Sequence, residues 1–303
     1  MNYAHIPVMP DECVEALNPR AGGLYVDGTA GLGGHSELLA ERGGTLICID
    51  RDAAAAEACK TRLARFTNRV QVLQGNFRDL DTLLDLAGAG EVDGILLDLG
   101  VSSMQLDAPE RGFSYRFDAP LDMRMDLSQP LTAEEIVNNW EYRTLIRILY
   151  DYGEERYAPQ IARGIVAARP LRSTAELTDA ILESMPPKGR REAQHPARRT
   201  FQALRIAVNG ELDALETGLS AALNRLAGGG RLAVIAFHSL EDRIVKRVMA
   251  EAAKGCTCPP DFPVCVCGNK PTVRLLGRQK PSQREVEENP RSASAVLRVA
   301  EKL

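Results

Sequence analysis

The chain contains 303 residues with a net charge of −4, and 45% of its residues are hydrophobic. That composition is typical of a globular protein with a sizeable core, and the charge argues against a protein that coats nucleic acid over its whole surface. No apolar run approaches the roughly 18 residues of a membrane span, no signal peptide is visible, and seven cysteines do not suit a secreted disulfide scaffold. We therefore expect a cytoplasmic protein without membrane attachment, built from one large or two moderate domains.

Strand-type apolar runs alternate with helical stretches in the N-terminal third of the chain. The predicted strands are residues 24–27, 45–50, 70–74 and 92–99, and predicted helices over residues 36–42 and 53–66 lie between them. This alternation predicts βαβ units and therefore an α/β fold with a Rossmann-like, parallel-type sheet.

A glycine-rich turn follows the first predicted strand. Gly31, Gly33 and Gly34 carry no Cβ and let the backbone approach a ligand closely. Asp50 ends the next strand, where an acidic residue can accept hydrogen bonds from ribose hydroxyls. The spacing departs from the dinucleotide fingerprint G-x-G-x-x-G, and a carboxylate at Asp27 would repel a pyrophosphate but suits the cationic end of S-adenosylmethionine (SAM). The turn thus predicts a SAM site; the alternative is a tight turn without a ligand.

Further polar residues stand where later strands end. Asp98 ends the fourth predicted strand and His238 follows the fifth, while Phe77 follows the third. Because ligands bind at the carboxyl ends of strands in open α/β sheets, these residues are candidates for one site. Phe77 could cover an adenine face or be a core aromatic. Ser239 is predicted as the N-cap of a helix after the fifth strand.

The fifth predicted strand, residues 231–237, begins far later than a simple crossover requires. We therefore expect a SAM-binding domain over residues 1–105 and 198–303, interrupted by a helical insertion over residues 106–197. Helices are predicted within the insertion at residues 132–152, 154–168 and 174–185. A long amphipathic helix from Phe201 to Leu226 is predicted as the crossover back to the sheet. Three glycines, residues 228–230, are expected to end it, and residues 272–276 and 295–300 are candidate edge strands.

Two segments are rich in cations although the chain is acidic overall. Residues 188–205 hold six Lys and Arg against one acid, and residues 270–284 hold five and no acid. Such local clusters suit contacts with nucleic-acid phosphates. The alternative is an ordinary solvated surface.

Four cysteines near the C-terminus have the spacing of a compact metal site, namely Cys256, Cys258, Cys265 and Cys267. They resemble a Cys₄ zinc site, although each pair is CxC rather than the commoner CxxC. Free thiols or disulfides are the alternatives. Cys13, Cys48 and Cys59 are predicted to be buried core residues.

The sequence also bears on which atom could be methylated. Methylation of a pyrimidine carbon commonly uses a cysteine that follows proline, and no cysteine here does so. An exocyclic amine needs only an acceptor that orients it, which Asp98 could supply. The usual amino-methyltransferase motif, Asp/Asn/Ser-Pro-Pro-aromatic, is absent, so these residues alone leave the target atom open.

The whole chain closely resembles the MraW (RsmH) methylase family. The matching segments are DGTAGLGGH (27–35), IDRD (49–52), DGILLDLGVSS (93–103), RGF (111–113), LDMRMD (121–126), YGEER (152–156), HP (195–196) with RTFQ (199–202), FHSLEDR (237–243), ENPR (288–291) and LR (297–298). The resemblance implies a class I SAM-dependent methyltransferase with an inserted helical substrate-recognition domain. It implies N4-methylation of a cytidine in small-subunit (16S) ribosomal RNA near the decoding centre, on free RNA or the assembled small subunit.

The resemblance also implies roles for individual residues. The SAM contacts of the family fall on Gly33, Gly34, His35, Asp50, Phe77, Asp98 and Gln105. Independently of the resemblance, the shared strand-edge position of Asp98 and His238 leads us to expect Asp98 at or beside the reacting group and His238 in the lining of the pocket. The cysteine cluster is not among the family's defining motifs, so local scaffolding is expected of it rather than catalysis. The enzyme is expected to act as a monomer or a homodimer.

Three other functions compete with this interpretation. A SAM enzyme for a protein or a small molecule is disfavoured by the basic segments and the insertion. A SAM-fold binding module that assists ribosome assembly without turnover is disfavoured by the intact strand-end acids. A nicotinamide dehydrogenase is disfavoured by the glycine spacing.

Overall fold

The computed structural model describes residues 6–191, 195–256, 258, 264 and 266–303. The chain divides into two compact units, one of Met1–Gly100 with Leu212–Leu303 and one of Val101–Glu211. The second unit begins before residue 106 and ends after residue 197, so it is longer at both ends than the predicted insertion. Among the described residues, no helix is both long enough and apolar enough to span a membrane.

The first unit is built on one sheet. Its seven strands, within the described ranges, are β1 Leu24–Asp27, β2 Thr45–Asp50, β3 Val70–Gln74, β4 Val92–Asp98, β5 Leu226–Ala236, β6 Val273–Gln279 and β7 Val296–Lys302. Their order is β3-β2-β1-β4-β5-β7-β6. The strands from β1 to β5 pair in parallel, whereas β7 is antiparallel to both β5 and β6. The sheet is therefore mixed, and its parallel part is the predicted one.

Continuous apolar runs explain the parallel strands, since a sheet covered on both faces buries every side chain. Residues 46–49 of β2 and residues 94–97 of β4 are fully buried. The three glycines were predicted to end the helix before β5. In the structure they lie within β5. The pairing of β4 with β5 shifts between Val92 and Gly94, and Gly229 adopts a φ of 79°, so the glycines allow an irregular start to the strand.

Helices cover the sheet and form most of the second unit. They are α1 Pro10–Leu17, α2 Gly34–Glu41, α3 Ala53–Arg62, α4 Leu80–Leu86, α5 Ser103–Asp107, α6 Ala133–Asn139, α7 Tyr142–Asp151, α8 Ala158–Ala167, α9 Thr174–Ser184, α10 Pro187–Arg190, α11 Ala197–Asn209, α12 Glu211–Arg225, α13 Ser239–Ala252 and α14 Gln283–Glu288. Short 3₁₀ turns occupy Ala64–Phe66, Phe77–Asp79, Pro109–Arg111 and Pro290–Ser294.

Two helices that the sequence predicts as continuous are broken. The predicted crossover helix is α11 followed by α12, with Gly210 between them at a left-handed φ of 58°. A left-handed residue at this point ends a helix, and glycine adopts it without a Cβ clash. The predicted helix over residues 132–152 is α6 and α7, separated by Trp140 and Glu141 in extended conformation.

The second unit has its own apolar core. Buried side chains from α6, α7, α8, α9 and α11 pack together, among them Ile136, Leu145, Ile161, Leu177 and Leu204. Thr132 is the N-cap of α6, and its side chain accepts a hydrogen bond from the Glu135 N–H at 3.1 Å. A core of this kind lets the unit hold its shape through its own contacts.

Candidate active site

Asp27 ends β1 and braces the turn that follows it. Its carboxylate accepts hydrogen bonds from the Ser36 hydroxyl at 2.6 Å and the Thr29 N–H at 3.2 Å. The Cys48 thiol donates to the same Ser36 oxygen at 3.2 Å. Burial raises the pKa of Asp27 to about 6, although the two hydrogen bonds oppose the shift. The structure therefore gives Asp27 internal partners that fix the position of the turn.

Asp50 ties the glycine turn to the end of β2. Its Oδ2 accepts from the Gly31 N–H at 2.7 Å, and its Oδ1 accepts from the Asp52 N–H at 2.9 Å. Burial raises the pKa of Asp50 to about 6, against the effect of these amides. Each carboxylate oxygen has two acceptor sites, so one on each oxygen remains for ligand hydroxyls. The predicted place of Asp50 beside the turn is confirmed.

Glycine stands at the N-cap of α2 and at the first position of the helix. Gly33 is the N-cap of α2 and has a left-handed φ of 77°, which glycine adopts without strain. A Cβ at Gly33 would lie 3.1 Å from the Cys59 sulfur, and one at Gly34 would lie 3.3 Å from Pro7. The first N–H groups of α2, which have no partner within the helix, thus lie beside backbone that carries no Cβ.

His35 is buried at the start of α2, next to the end of β4. Its Nε2 lies 2.8 Å from the Val8 carbonyl oxygen, so this nitrogen carries the hydrogen and donates it. Burial lowers the pKa of His35 to about 4, which makes the ring neutral at pH 7. Its Nδ1, then a bare acceptor, lies 3.8 Å from Oδ2 of Asp98.

Asp98 ends β4 at this edge of the sheet. Its backbone N–H donates to the Thr29 hydroxyl at 2.6 Å, but its side-chain Oδ1 is buried and has no hydrogen-bond partner among the residues described. Burial, followed by the charges of Asp27 and Glu241, raises its pKa well above the ordinary value. A buried acceptor without a donor costs about 1–3 kcal/mol. A ligand that brings a donor or a positive charge would recover that cost.

Phe77 opens the 3₁₀ turn after β3, and its ring is held by packing. It lies against α12 at Gly218, where a Cβ would come within 2.5 Å of the ring. A Cβ at Gly28, just after β1, would lie 3.3 Å from the Cβ of Phe77. The two glycines therefore make room for this aromatic side chain. Its contact with an adenine stays a prediction.

The N-cap of α13 is His238, so the prediction of Ser239 was wrong. His238 Nδ1 accepts from the Glu241 N–H at 3.4 Å, and its Nε2 lies 3.1 Å from Glu241 Oε1. The other oxygen of Glu241 accepts from the Phe237 N–H at 2.8 Å and the His238 N–H at 3.3 Å. Asp242, the next residue, forms a two-pronged pair with Arg298, at 2.6 and 2.9 Å. His238 thus takes part in a reciprocal helix cap at the end of β5.

Glu241 is a residue of this edge that the sequence patterns did not single out. It is only 3% exposed, and its charge acts on Asp98. A glutamate three residues after the N-cap belongs to the capping-box pattern, but that pattern begins with Ser or Thr, whereas the cap here is His238. The site therefore contains four acids, Asp27, Asp50, Asp98 and Glu241. Within the described part of the chain, Asp98 is the one of the four with a buried side-chain oxygen that lacks a hydrogen-bond partner.

Gln105, predicted to contact SAM, belongs to the second unit. It is buried at the third position of α5, where its Oε1 accepts from the Ser102 N–H at 3.1 Å. The Gln105 N–H donates in return to the Ser102 hydroxyl at 3.3 Å. This capping box fixes the first turn of α5. The cofactor contact of Gln105 stays a prediction.

The first basic segment contains cations of two kinds. Arg190 donates to the carbonyls of Met185 at 2.9 Å and Glu183 at 3.0 Å, and Arg205 forms a two-pronged pair with Glu211 at 2.9 and 2.8 Å. These two arginines stabilise helix ends. The exposed cations without an ion pair among the described residues are Lys188, Arg191 and Arg198.

The second basic segment is mixed in the same way. Arg274 pairs with Glu301 at 2.6 Å and Arg284 with Glu288 at 2.9 Å. Lys270, Arg278 and Lys280 are exposed. Only part of each segment is thus available for phosphates.

Of the seven cysteines, Cys13, Cys48 and Cys59 are buried, as predicted. The Sγ atoms of Cys256, Cys258 and Cys267 all lie within 4.8 Å of one another. Cys265 lies outside the described residues. The predicted clustering is thus confirmed for three of the four thiols.

The sheet order, the glycine turn after β1 and the acids at the ends of β2 and β4 define the chain as a SAM-dependent methyltransferase. A sequence profile of the MraW methylase family matches residues 2–303, and the chain belongs to that family.

Named relatives and solved structures are similar to this chain over nearly its full length. Ribosomal RNA small subunit methyltransferase H of Heliobacterium mobile is 53% identical, with 100% of both chains covered. The protein of the same name from Symbiobacterium thermophilum is 52% identical, with 100% of this chain and 98% of that protein covered. Among solved structures, a methyltransferase from Streptococcus mutans in complex with SAH matches 99% of this chain and 100% of its own, with a TM-score of 0.45 and 10% identity.

Proposed function

We propose that this protein acts in the cytoplasm and transfers a methyl group from SAM to N4 of a cytidine in small-subunit ribosomal RNA, near the decoding centre. Full-length identity of about half with relatives that are named as small-subunit ribosomal RNA methyltransferases supports the substrate class. The observation that carries the chemistry is the buried Oδ1 of Asp98 at the end of β4, which has no partner among the described residues.

The residues present fit SAM. The spare acceptor sites of Asp50 suit ribose hydroxyls, and Gly33 and Gly34 provide a stretch of backbone that a ligand can approach. Asp98, raised in pKa by burial and by neighbouring acids, suits a cation or a hydrogen-bond donor. When bound, SAM supplies an electrophilic methyl group.

Asp98 is the residue to which we assign the substrate amine. Its Oδ1 would accept a hydrogen of the exocyclic amine and so orient the nitrogen. The nitrogen would lose a proton as the N–C bond forms and the S–C bond to the departing S-adenosylhomocysteine breaks, and a carboxylate whose pKa is raised would be a better acceptor for that proton than an exposed one. His238 and Glu241 fix the neighbouring end of β5 through the helix cap.

Methylation at carbon is disfavoured because it needs a thiolate nucleophile. Cys13 is the thiol whose titration Asp98 affects, and burial raises its pKa well above the ordinary value. A hydrogen bond with Cys59, together with burial, raises the pKa of Cys48 in the same direction. Both thiols therefore remain protonated at neutral pH and are poor nucleophiles.

The helical unit, Val101–Glu211, is the part we assign to RNA recognition. Lys188, Arg191 and Arg198 offer exposed charges that suit phosphates. A small substrate would need neither these cations nor a unit of this size.

Nucleoside mass spectrometry tests the proposal. Ribosomal RNA and small subunits from cells that lack this enzyme are incubated with it and deuterium-labelled SAM, and labelled N4-methylcytidine is expected. Asp98→Asn should slow turnover by about 10²–10⁴-fold, while Asp85→Asn, a change at an exposed acid of α4, should leave it unchanged. Labelled 5-methylcytidine, or full turnover by Asp98→Asn, would contradict the proposal. Tight RNA binding without labelled product would favour an assembly factor instead.

A further inference from the structure

Hydrogen bonds join the two ends of the segment between α13 and β6. The Thr272 N–H donates to the Ala252 carbonyl at 2.8 Å. Closer to the cysteines, the Asn269 side chain donates to the carbonyls of Lys254 at 3.1 Å and Gly255 at 2.7 Å. These bonds hold the two ends of the segment together immediately before Cys256 and after Cys267.

The sulfur separations match a shared metal rather than a disulfide. Cys256 and Cys267 have their Sγ atoms 3.7 Å apart, and Cys258 completes a set within 4.8 Å. A disulfide bond is about 2.05 Å long. Two thiolates on one tetrahedral zinc, each at about 2.3 Å, stand roughly 3.8 Å apart. The distance between Cys256 and Cys267 therefore suits two ligands of the same ion.

Backbone amides point at two of these sulfurs. The Val266 N–H donates to Cys258 Sγ at 3.3 Å, and the Asn269 N–H donates to Cys267 Sγ at 3.5 Å. Amide hydrogen bonds stabilise negative charge on sulfur and orient the ligand, which is what the partners of metal-bound thiolates do. Cys258 and Cys267 thus have amide donors of the kind that metal-bound thiolates accept from.

Among the described residues between the cysteines, no apolar side chain is buried. Val264 and Val266, the two apolar side chains described between the cysteines, are 69% and 73% exposed. Cys256 and Cys267 are exposed as well. Where a segment cannot bury a core of its own, a structural metal can supply the missing folding free energy.

We propose that Cys256, Cys258 and Cys267 bind a structural Zn²⁺ that holds the loop between α13 and β6. Thiolates are the donors that zinc prefers in structural sites. The sequence offers a fourth thiol at Cys265, which lies outside the described residues. The site is separate from the strand-end acids, and the proposal does not depend on the methyl-transfer reaction.

Metal analysis of the full-length protein, purified under reducing conditions without chelator, tests the proposal. We expect about one zinc per chain in the wild type and less than about a tenth in Cys256→Ser/Cys267→Ser. Val264→Ser is the matched control, since it changes an exposed side chain of the same loop without removing a sulfur, and it should keep the metal. Cobalt exchanged into the wild type should show the intense visible absorption of a tetrahedral thiolate site, and the double variant should not.

Two outcomes would overturn the proposal. One is wild-type protein that contains no stoichiometric metal and gives no cobalt spectrum. The other is a double variant that keeps its zinc. Both readouts are independent of catalysis, so the result does not depend on whether the RNA substrate has been identified.

Discussion

Asn209 in the helical unit and Asp98 in the sheet unit are both polar, but they differ in how many hydrogen-bond partners their side chains have. In the helical unit the buried Asn209 amide donates to the carbonyls of Met123 at 2.8 Å and Arg205 at 2.9 Å. Its oxygen accepts from the Met125 N–H at 2.8 Å. At the sheet edge of the other unit, the buried Oδ1 of Asp98 has no such partner among the described residues, and burial raises the pKa of its carboxyl.

The contrast separates a residue that serves the fold from one that serves a ligand. Asn209 has its donors and its acceptor occupied, so it contributes stability and offers little to a substrate. Asp98 costs stability in the ligand-free protein, and a ligand can recover that cost. Substitutions at the two positions should therefore affect different measurements.

The largest effect on stability is expected at Asn209. Asn209→Ala removes four hydrogen bonds, among them the one in which the Asn209 oxygen accepts from the buried Met125 N–H, so the free energy of unfolding should fall by roughly 3 kcal/mol. Urea denaturation measures this change. Asn139→Ala, at an exposed asparagine of the same unit, should cost less than about 0.5 kcal/mol. SAM affinity should be unchanged; a large loss of SAM binding would break the comparison.

Asp50 is expected to give the largest effect on cofactor affinity after Asp98. Asp50→Ala removes the acceptor sites for ribose and also releases the Gly31 N–H, so SAM binding should weaken by about 10- to 150-fold. Calorimetry on the variant measures this. Asp85→Ala, at an exposed acid of the same unit, is the control and should bind normally. Unchanged affinity in Asp50→Ala would refute the ribose assignment.

The smallest effect is expected from the exposed cations of the helical unit. If each contacts a single-stranded phosphate, changing Lys188, Arg191 and Arg198 to Ala should flatten the slope of log affinity against log salt by up to about 2 units. Filter binding of ribosomal RNA over a salt series measures the slope.

A second variant separates this effect from stability. Arg190→Ala, which removes a cap from α9, should lower stability and leave the slope nearly unchanged. If the triple variant instead lost stability and kept its slope, the segment would be a structural brace.

Much of the sheet could be predicted from the sequence, because buried parallel strands are continuous apolar runs. The first three strands have the predicted bounds, and β4 ends one position earlier than predicted, at Asp98. The ends of the helices were harder to predict from the sequence. An amphipathic repeat runs through Gly210 and through Trp140 without interruption, so the pattern showed the buried face but not the break in the backbone.

The sequence predicted which residues belong to the site but not which hydrogen bonds their side chains form. Strand-end position identified Asp50 and Asp98, since all parallel strands end at one edge. Asp27 is satisfied by Ser36, whereas Asp98 Oδ1 lacks a partner among the described residues. That difference depends on side-chain directions that no spacing rule encodes. Arg190 shows the same limit, because its charge suggested RNA whereas its hydrogen bonds cap α9.

The most direct test of the role of Asp98 is Asp98→Asn, measured for SAM affinity and for ligand-free stability. The pKa of Asp98 is raised in the folded protein. Its contribution to the free energy of unfolding is therefore present at low pH and is lost as the pH rises through the pKa of the folded state. We therefore predict that Asp98→Asn binds SAM more weakly than the wild type. We also predict that its melting temperature equals or exceeds that of the wild type, and that the difference between the two proteins is larger at pH 8 than at pH 5. Unchanged SAM affinity, or a variant that is less stable at pH 8, would contradict the assignment of Asp98 to a ligand.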